Sequence, residues 1–537
     1  HTRCSRDWSS DVCSSDLYVI LGCVMVFSSC TKKFDEINTD RNTIATIGSA
    51  ELPFLFAKAQ STAIPNIWNY QVAQNLFADQ YAQYFACTAT YFPSDRLNIR
   101  MDWVGAAFNP IYTDLVPQLQ SIFKAADPAS AEYAMANIVW VLGFHRVTDY
   151  WGPIPYSKAG EPGKSVAYDG QDKIYDDMLK RLASAVTVLN NHKTEKPYGS
   201  FDLIYGGDVN KWIKFGNSLR LRLALRISKV DPARAKSEAE AAVTGGVLST
   251  SPDEDALLKK SLSGADYNGL SIMSDWNEFR MSAAMESVMK GYEDPRMPIY
   301  WLPAGASAAN PNGSGTYEGL RNGLTSTQLT DAKNLATANS KVGKRWSSPP
   351  FAGNADYLTT PANVMSVAES YFNRAEGALL GWSMGGTAKD LYEAGIKASM
   401  NQWGISDAAA IAAYTQSTKV PVAPQDYLSS PAVSTAPIKF AADAATQKTQ
   451  IAIQKWLAML PDGNEAWADY RRGRNFILYP VANSDNPDID NPATKWIRRI
   501  PFLLSEKQNN KDAVDAAVPL LGSGGDKLTT PLWWDKN

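Results

Sequence analysis

The chain has 537 residues, 45% hydrophobic and 20% charged, with a formal net charge of −3. That is the composition of a soluble globular protein with a large core, and the near-neutral balance excludes the basic footprint of a nucleic-acid-binding protein. Aromatics are plentiful, with 16 Trp and 24 Tyr; such rings fill cores, and exposed ones stack on sugars and other flat-faced ligands.

Four of the five cysteines, Cys4, Cys13, Cys23 and Cys30, lie in the first thirty residues, and the fifth is Cys87. This is not a disulfide framework. Residues 1–16 have no initiator methionine and carry acids where a signal peptide wants a basic region, so they are expected to be non-native and are set aside. Residues 17–29 contain the short apolar run Leu17–Phe27, which suits a lipoprotein signal peptide rather than a membrane span. Ser28-Ser29-Cys30 and Ile20-Leu21-Gly22-Cys23 are rival acylation boxes. Cys30 is preferred as the lipidated residue, because it is followed by polar Thr31-Lys32-Lys33, whereas Cys23 would leave Val24–Phe27 exposed. Residues 30–50 then read as a tether, and 51–537 as one domain.

Helical spacing begins near Leu52 and runs towards Phe85. Another helix starts near Asn109 with Ile111, Leu115, Leu119 and Ile122 in register. Asp127-Pro128 ends it, and Ser130–Val147 follows with Ala134, Ile138, Val141 and Phe144 inward. The Pro- and Gly-rich stretch Thr148–Ala159, TDYWGPIPYSKA, is expected to be an ordered loop. Gln171–Leu189 is helical, with Ile174, Met178, Leu182 and Val186 on one face. The most informative stretch is Asp208–Ser228, DVNKWIKFGNSLRLRLALRIS. Asp208 is a good N-cap, Trp212, Phe215, Leu219 and Leu223 share one face, and Leu221, Ala224 and Leu225 make a second. A helix apolar on two sides belongs inside an array of helices, where Arg220, Arg222 and Arg226 need acidic or carbonyl partners. A shorter helix follows at Ala233–Val243. The paired pattern suggests tetratricopeptide-like stacking, without that repeat's strict signature.

From Asp294 to Pro361 the periodicity dissolves into Gly, Ser, Asn and Pro, yet Trp301, Tyr317, Trp346, Phe351 and Tyr357 argue against simple disorder. Helices resume at Asn363–Trp382, Ala388–Trp403 and Thr449–Leu460. The tail from Asp485 ends in Trp533-Trp534, a pair expected to pack back on the body.

Catalytic motifs are weak. Gly381-Trp382-Ser383-Met384-Gly385 matches the nucleophile-elbow pattern, but a helix precedes it where a strand is required, so Ser383 reads as a turn residue. Outside the leader only His145 and His192 are available for a triad or a zinc site. Glu465 and Asp469, one helical turn apart beside Arg471 and Arg472, read as a structural ion-pair cluster rather than an acid/base pair. No cofactor or metal is expected.

Several stretches, in order, resemble the SusD/RagB family of outer-membrane lipoproteins, in its SusD-like second branch: FDEINTDRN after Cys30, TDYWGPIPYSKA, the Asp208–Ser228 helix, YEDPRMP at 292–298, AESYFNRAEGAL at 368–379, LYEAGIKASM at 391–400, PDGNEAWADYRRGR at 461–474, and the closing LWWDK. Arg41 departs from the proline-containing turn expected in the tether. The resemblance implies a mainly α fold whose tetratricopeptide-like half docks on a SusC-like TonB-dependent outer-membrane transporter, with an irregular, loop-rich half for the ligand. It implies a non-enzymatic lipoprotein, lipid-anchored in the outer membrane and facing outward, that binds oligosaccharides. Capture of peptides or another nutrient by the same architecture, and surface glycoside hydrolysis, are the alternatives.

An uncharged oligosaccharide needs flat apolar faces for its C–H surfaces and amides or carboxylates for its hydroxyls. Trp276, Trp301, Tyr317, Trp346 and Tyr91 are the candidate faces, with Asn277 and Asn312 as hydrogen-bonding groups. At least two of Trp276, Trp301, Tyr317 and Trp346 are expected to line one open cavity.

Overall fold

Asp208 opens its helix as an N-cap should: Oδ1 accepts from the backbone N–H groups of Asn210 (3.0 Å) and Lys211 (3.2 Å), satisfying donors that a first turn leaves unpaired. The computed structural model describes residues 48–537 apart from Trp68, Lys164 and 350–354; Cys30, the leader and the tether up to residue 47 lie outside the described residues. Residues 49–537 cluster as one unit. Helices of ten or more residues are α1 (Leu52–Thr62), α2 (Val116–Ala125), α3 (Ala131–Trp151), α4 (Gln171–Leu189), α5 (Val209–Arg226), α6 (Pro232–Thr244), α7 (Ala283–Tyr292), α8 (Val367–Leu379), α9 (Ala388–Gln402), α10 (Ala444–Met459) and α11 (Gly463–Gly473). Four short strands form two antiparallel pairs: β1 (Phe85–Cys87) with β3 (Phe279–Met281), and β2 (Ala256–Leu258) with β4 (Ala362–Met365).

Successive helices stack, α3 on α4, α4 on α5 and α5 on α6, and α8 bridges α5, α9 and α10. The two apolar faces of α5 explain its place: Trp212, Phe215, Leu219, Leu221, Leu223 and Ala224 are all buried in the main core. Its arginines find carboxylates. Arg220 donates to Glu238 on α6 (2.5 Å). Arg222 grips Glu369 on α8 with two bonds of 2.7 Å, and Arg226 donates to Glu465 on α11 (2.6 Å). Arg146 of α3 holds both oxygens of Asp462 (2.9 and 2.8 Å), the residue that caps α11. Buried charges of this kind persist only when paired and hydrogen-bonded.

Three segment boundaries differ from the sequence expectation. Thr148–Trp151 is not loop but the last turn of α3, and the chain leaves the helix at Gly152, where φ is +85° and Pro153 follows. A glycine in that region, restricted by the next proline, is a strong stop, whereas aromatic Tyr150 and Trp151 are tolerated by a helix buried all round. Residues 363–365, read as helical, belong to β4 against β2; α8 starts only after Ser366, whose hydroxyl accepts from the Glu369 N–H (3.1 Å). The Leu52–Phe85 pattern divides into α1, a π-helical stretch over Gln71–Asp79, and β1. The tail packs back as expected: Trp534 is buried and its indole N–H donates to Asp149 (2.9 Å).

Glu465→Ala leaves Arg226 without its closest carboxylate. Loss of one partner from a buried pair costs about 3–5 kcal/mol, so the chemical denaturation midpoint should fall markedly; an unchanged midpoint would show that the pair carries no stability.

Candidate functional site

The β1–β3 ladder pairs Phe85 with Met281 and Cys87 with Phe279, and beyond its end the two chains stay tied. The Thr88 N–H donates to the Glu278 carbonyl (2.9 Å) and the Thr88 hydroxyl to the Asn277 carbonyl (2.9 Å). On the first chain, Phe92 turns inward to join Leu76 and Cys87, with Trp103 edge-on at 5.7 Å. Its neighbour Tyr91 therefore turns outward and is 64% exposed. On the second chain, a short helix, Gly269–Ser274, ends in a turn that lifts Trp276 into solvent at 49% exposure. Asn277 sits at φ +65°, a left-handed conformation that Asn tolerates better than most residues.

Polar groups brace Tyr91 and the turn that carries Trp276. The Tyr91 hydroxyl donates to Glu278, whose other oxygen accepts from the Gln71 amide (2.5 Å). The carboxylate pushes the Tyr91 phenol up to about 12, because the neutral O–H is the form that can donate. Arg280 lies under the turn, donating to the carbonyls of Ala336 and Phe279 (2.7 Å each) and to the Asn277 side chain. Burial lowers its guanidinium to about 10. Asp275 accepts from the hydroxyls of Ser348 (2.8 Å) and Tyr357 (3.3 Å). The outcome is two exposed rings joined by a two-stranded ladder, with carboxylates and an amide alongside: a surface able to stack pyranose faces and receive hydroxyls.

Of the sequence-selected residues, Tyr91, Trp276 and Asn277 lie on the two chain segments that this pairing joins, Tyr91 bonded to Glu278 two residues beyond Trp276. Trp301 and Trp346 do not join them, and their expected role as stacking faces is corrected. Each is 1% exposed: Trp301 packs edge-on against Phe85 (5.5 Å) and Trp346 against Trp403 (5.5 Å), so both staple the irregular segment to the core. Tyr317 is half-buried against the same core, and Asn312 is exposed in a turn, its carbonyl accepting from Gly315 (3.0 Å). Sequence reading missed Glu278, Arg280, Thr88 and Gln71. Glu278 and Arg280 sit within four residues of Trp276, but only the ladder reveals that they serve it.

The catalytic motifs resolve into structural ones. The Ser383 N–H donates to Glu240 (2.8 Å) in an exposed turn after Gly381, where φ is +78°. His145 is buried, with Nδ1 against the Val141 carbonyl (3.0 Å) and Nε2 facing Arg222 (3.4 Å). His192 contacts Glu195 and the Ala129 carbonyl. Neither faces Ser383. Asp469 pairs with Lys455 and Arg472 (2.7 Å each) and Glu465 with Arg226, so the two carboxylates are ion-pair members. Among the described residues there is no group of three or more His, Cys, Asp or Glu placed to hold a metal, and no helix is long and apolar enough to cross a membrane.

A family model described as SusD-like, "Susd and RagB outer membrane lipoprotein", matches residues 35–535. The chain belongs to the SusD/RagB family. Among solved structures, this SusD-like chain resembles a chitin-binding SusD homolog from Flavobacterium johnsoniae, at 34% identity over 91% of this chain and 99% of that one, with a TM-score of 0.79. It also resembles SusD homologs from Bacteroides uniformis (31% identity, 90% and 99% covered, TM-score 0.80) and Bacteroides ovatus (29%, 91% and 100%, 0.79). No curated protein matches the chain. The mainly helical SusD-like fold with stacked helix pairs is thus established, and the family is one of outer-membrane lipoproteins.

Arg280→Lys removes the forked donor that ties Asn277, Phe279 and Ala336 together, and an ammonium cannot reproduce that geometry. Hydrogen exchange over residues 276–281 should quicken by about tenfold, the effect of losing roughly 1.4 kcal/mol of local protection. Unchanged exchange there would show that Arg280 does not hold the turn.

Proposed function

We propose that this SusD-like protein is a surface lipoprotein that captures oligosaccharides on the Tyr91–Trp276 platform and passes them to a SusC-like TonB-dependent transporter in the outer membrane. The observation that carries the reading is the pair of solvent-exposed aromatic rings fixed at one end of the β1–β3 ladder and flanked by Asp275, Asn277 and Glu278. Tyr91 rests on Phe92 (4.6 Å), and both rings leave surface to solvent that stacking on sugar C–H faces would cover. The chitin-binding homolog makes oligomers of N-acetylglucosamine the first ligand to test. Capture without cleavage fits the placement of Ser383, Glu465 and Asp469 in structural roles.

Calorimetric titration with a hexamer of N-acetylglucosamine tests the platform. Trp276→Ala and Tyr91→Ala should each weaken binding by about tenfold, as truncation of a binding hot spot does. Both should melt as wild type does, since neither ring is in the core. Full affinity in both variants would place the site elsewhere, and release of reducing sugar by the purified protein would replace capture with hydrolysis.

The anchor is tested separately. Acyl chains contribute roughly 0.8 kcal/mol per buried CH₂, and two or more of them hold a protein at a membrane. Cys30→Ala should shift the protein from the membrane fraction to the soluble one, whereas membrane recovery at wild-type level would exclude Cys30 as the lipidated residue.

A further inference from the structure

A second recess, separate from the platform residues, opens beside the C-terminus of α11. It holds about 90 Å³, less than the roughly 300–1,000 Å³ of pockets that take a whole drug-sized ligand, so it suits one small group rather than an oligomer. Three observations point to an occupant. The first is Arg474, which follows α11 at φ +46° and lays its guanidinium over Trp496 (3.7 Å) and Tyr470 (5.5 Å). Among the described residues it has no carboxylate partner, although Arg472, two residues earlier, binds both Glu376 and Asp469. Its guanidinium is only partly buried, so N–H groups stay open to an acceptor entering from solvent.

The second is at the base. Gln80 is 2% exposed and lines the recess, yet neither its amide nitrogen nor its amide oxygen has a hydrogen-bond partner, and the hydroxyl of neighbouring Tyr81 has none either. Buried polar atoms are ordinarily satisfied, and leaving one unpaired costs about 1–3 kcal/mol. The third is the wall, where Tyr470 and Trp496 line the recess beside buried Trp467 and exposed Ile477 stands at its edge.

We propose that this recess is a second saccharide subsite, receiving the acceptor group of one pyranose, an acetamido carbonyl or a carboxylate, beside Arg474 and Gln80. The choice of a sugar rests on the proposed function; the recess itself rests on its own geometry.

The test is titration of the full chain with monomeric N-acetylglucosamine, glucuronic acid and glucose, followed by saturation-transfer NMR. One of the first two should bind at least about fivefold better than glucose, the margin of one added hydrogen bond of roughly 1 kcal/mol. Arg474→Gln, and Ile477→Arg at an exposed position that blocks the mouth without touching the core, should each reduce that binding by about fivefold or more. In the double variant Tyr91→Ala/Trp276→Ala, which removes the platform, the monomer binding that remains should still fall with Arg474→Gln and with Ile477→Arg. No binding of either acceptor-bearing sugar at tens of millimolar, equal binding of glucose, or binding indifferent to Ile477→Arg would overturn the subsite. Loss of oligomer binding in the double variant with retained monomer binding would support platform and recess as separate sites. Monomer binding in the recess without any oligomer binding by the wild type would refute the platform alone.

Discussion

Arg222 and Arg226 lie one turn apart on α5, inside the protein, and the fold is arranged so that neither is left uncompensated. Glu369 from α8 and Glu465 from α11 meet them, and the Asp149 carboxylate of α3 lies 3.7 Å from Arg226. Asp149 is itself held by the Tyr175 hydroxyl (2.5 Å) from α4 and the Trp534 indole from the tail (2.9 Å). Arg471 of α11 adds bonds to the carbonyls of Asp149 (2.8 Å) and Arg498 (2.7 Å) while lying 3.5 Å over the ring of Trp467. With no carboxylate of its own, Arg471 is pushed down to about 9 by burial. Each ion costs several kcal/mol to desolvate, and only this geometry repays it. Helices distant in sequence are thereby locked to one register.

That network explains what was legible. The stretches that carried the family resemblance are largely its members: TDYW supplies Asp149, AESYFNRAEGAL supplies Glu369 and Glu376, PDGNEAWADYRRGR supplies Asp462, Glu465, Asp469, Arg471 and Arg472, and LWWDK supplies Trp534. YEDPRMP forms a second buried pair, Arg296 with Asp294 (2.6 and 2.9 Å), joined by Gln454 (2.9 Å). A charge buried in a helical core stands out against its apolar neighbours, so the fold was readable. The same stretches carry no information on the ligand, because their side chains face one another.

The site was only partly legible for the converse reason. A Trp in an irregular segment serves equally as a staple or as a stacking face, and composition does not separate the two. Trp301 and Trp346 became staples because the backbone around them returns to the core, through Gly343, whose N–H bonds the Tyr300 carbonyl (2.7 Å). Tyr91 and Trp276 stayed in solvent because Phe92 and the Asn277 turn aim them outward. These orientations arise from a ladder joining residues nearly two hundred positions apart, a long-range pairing that periodicity does not report. Boundaries failed similarly: α3 outran its expected end because burial on all sides removed the polar face that would have marked it.

A rigid, ion-paired helical body would present the proposed aromatic platform already formed. A crystal structure of the protein with an N-acetylglucosamine oligomer addresses this most directly. It should show sugar rings on the faces of Tyr91 and Trp276, with the β1–β3 backbone where it lies without ligand. An oligomer bound away from both rings, or a platform that forms only by rearrangement of residues 88–92 and 275–280, would contradict it.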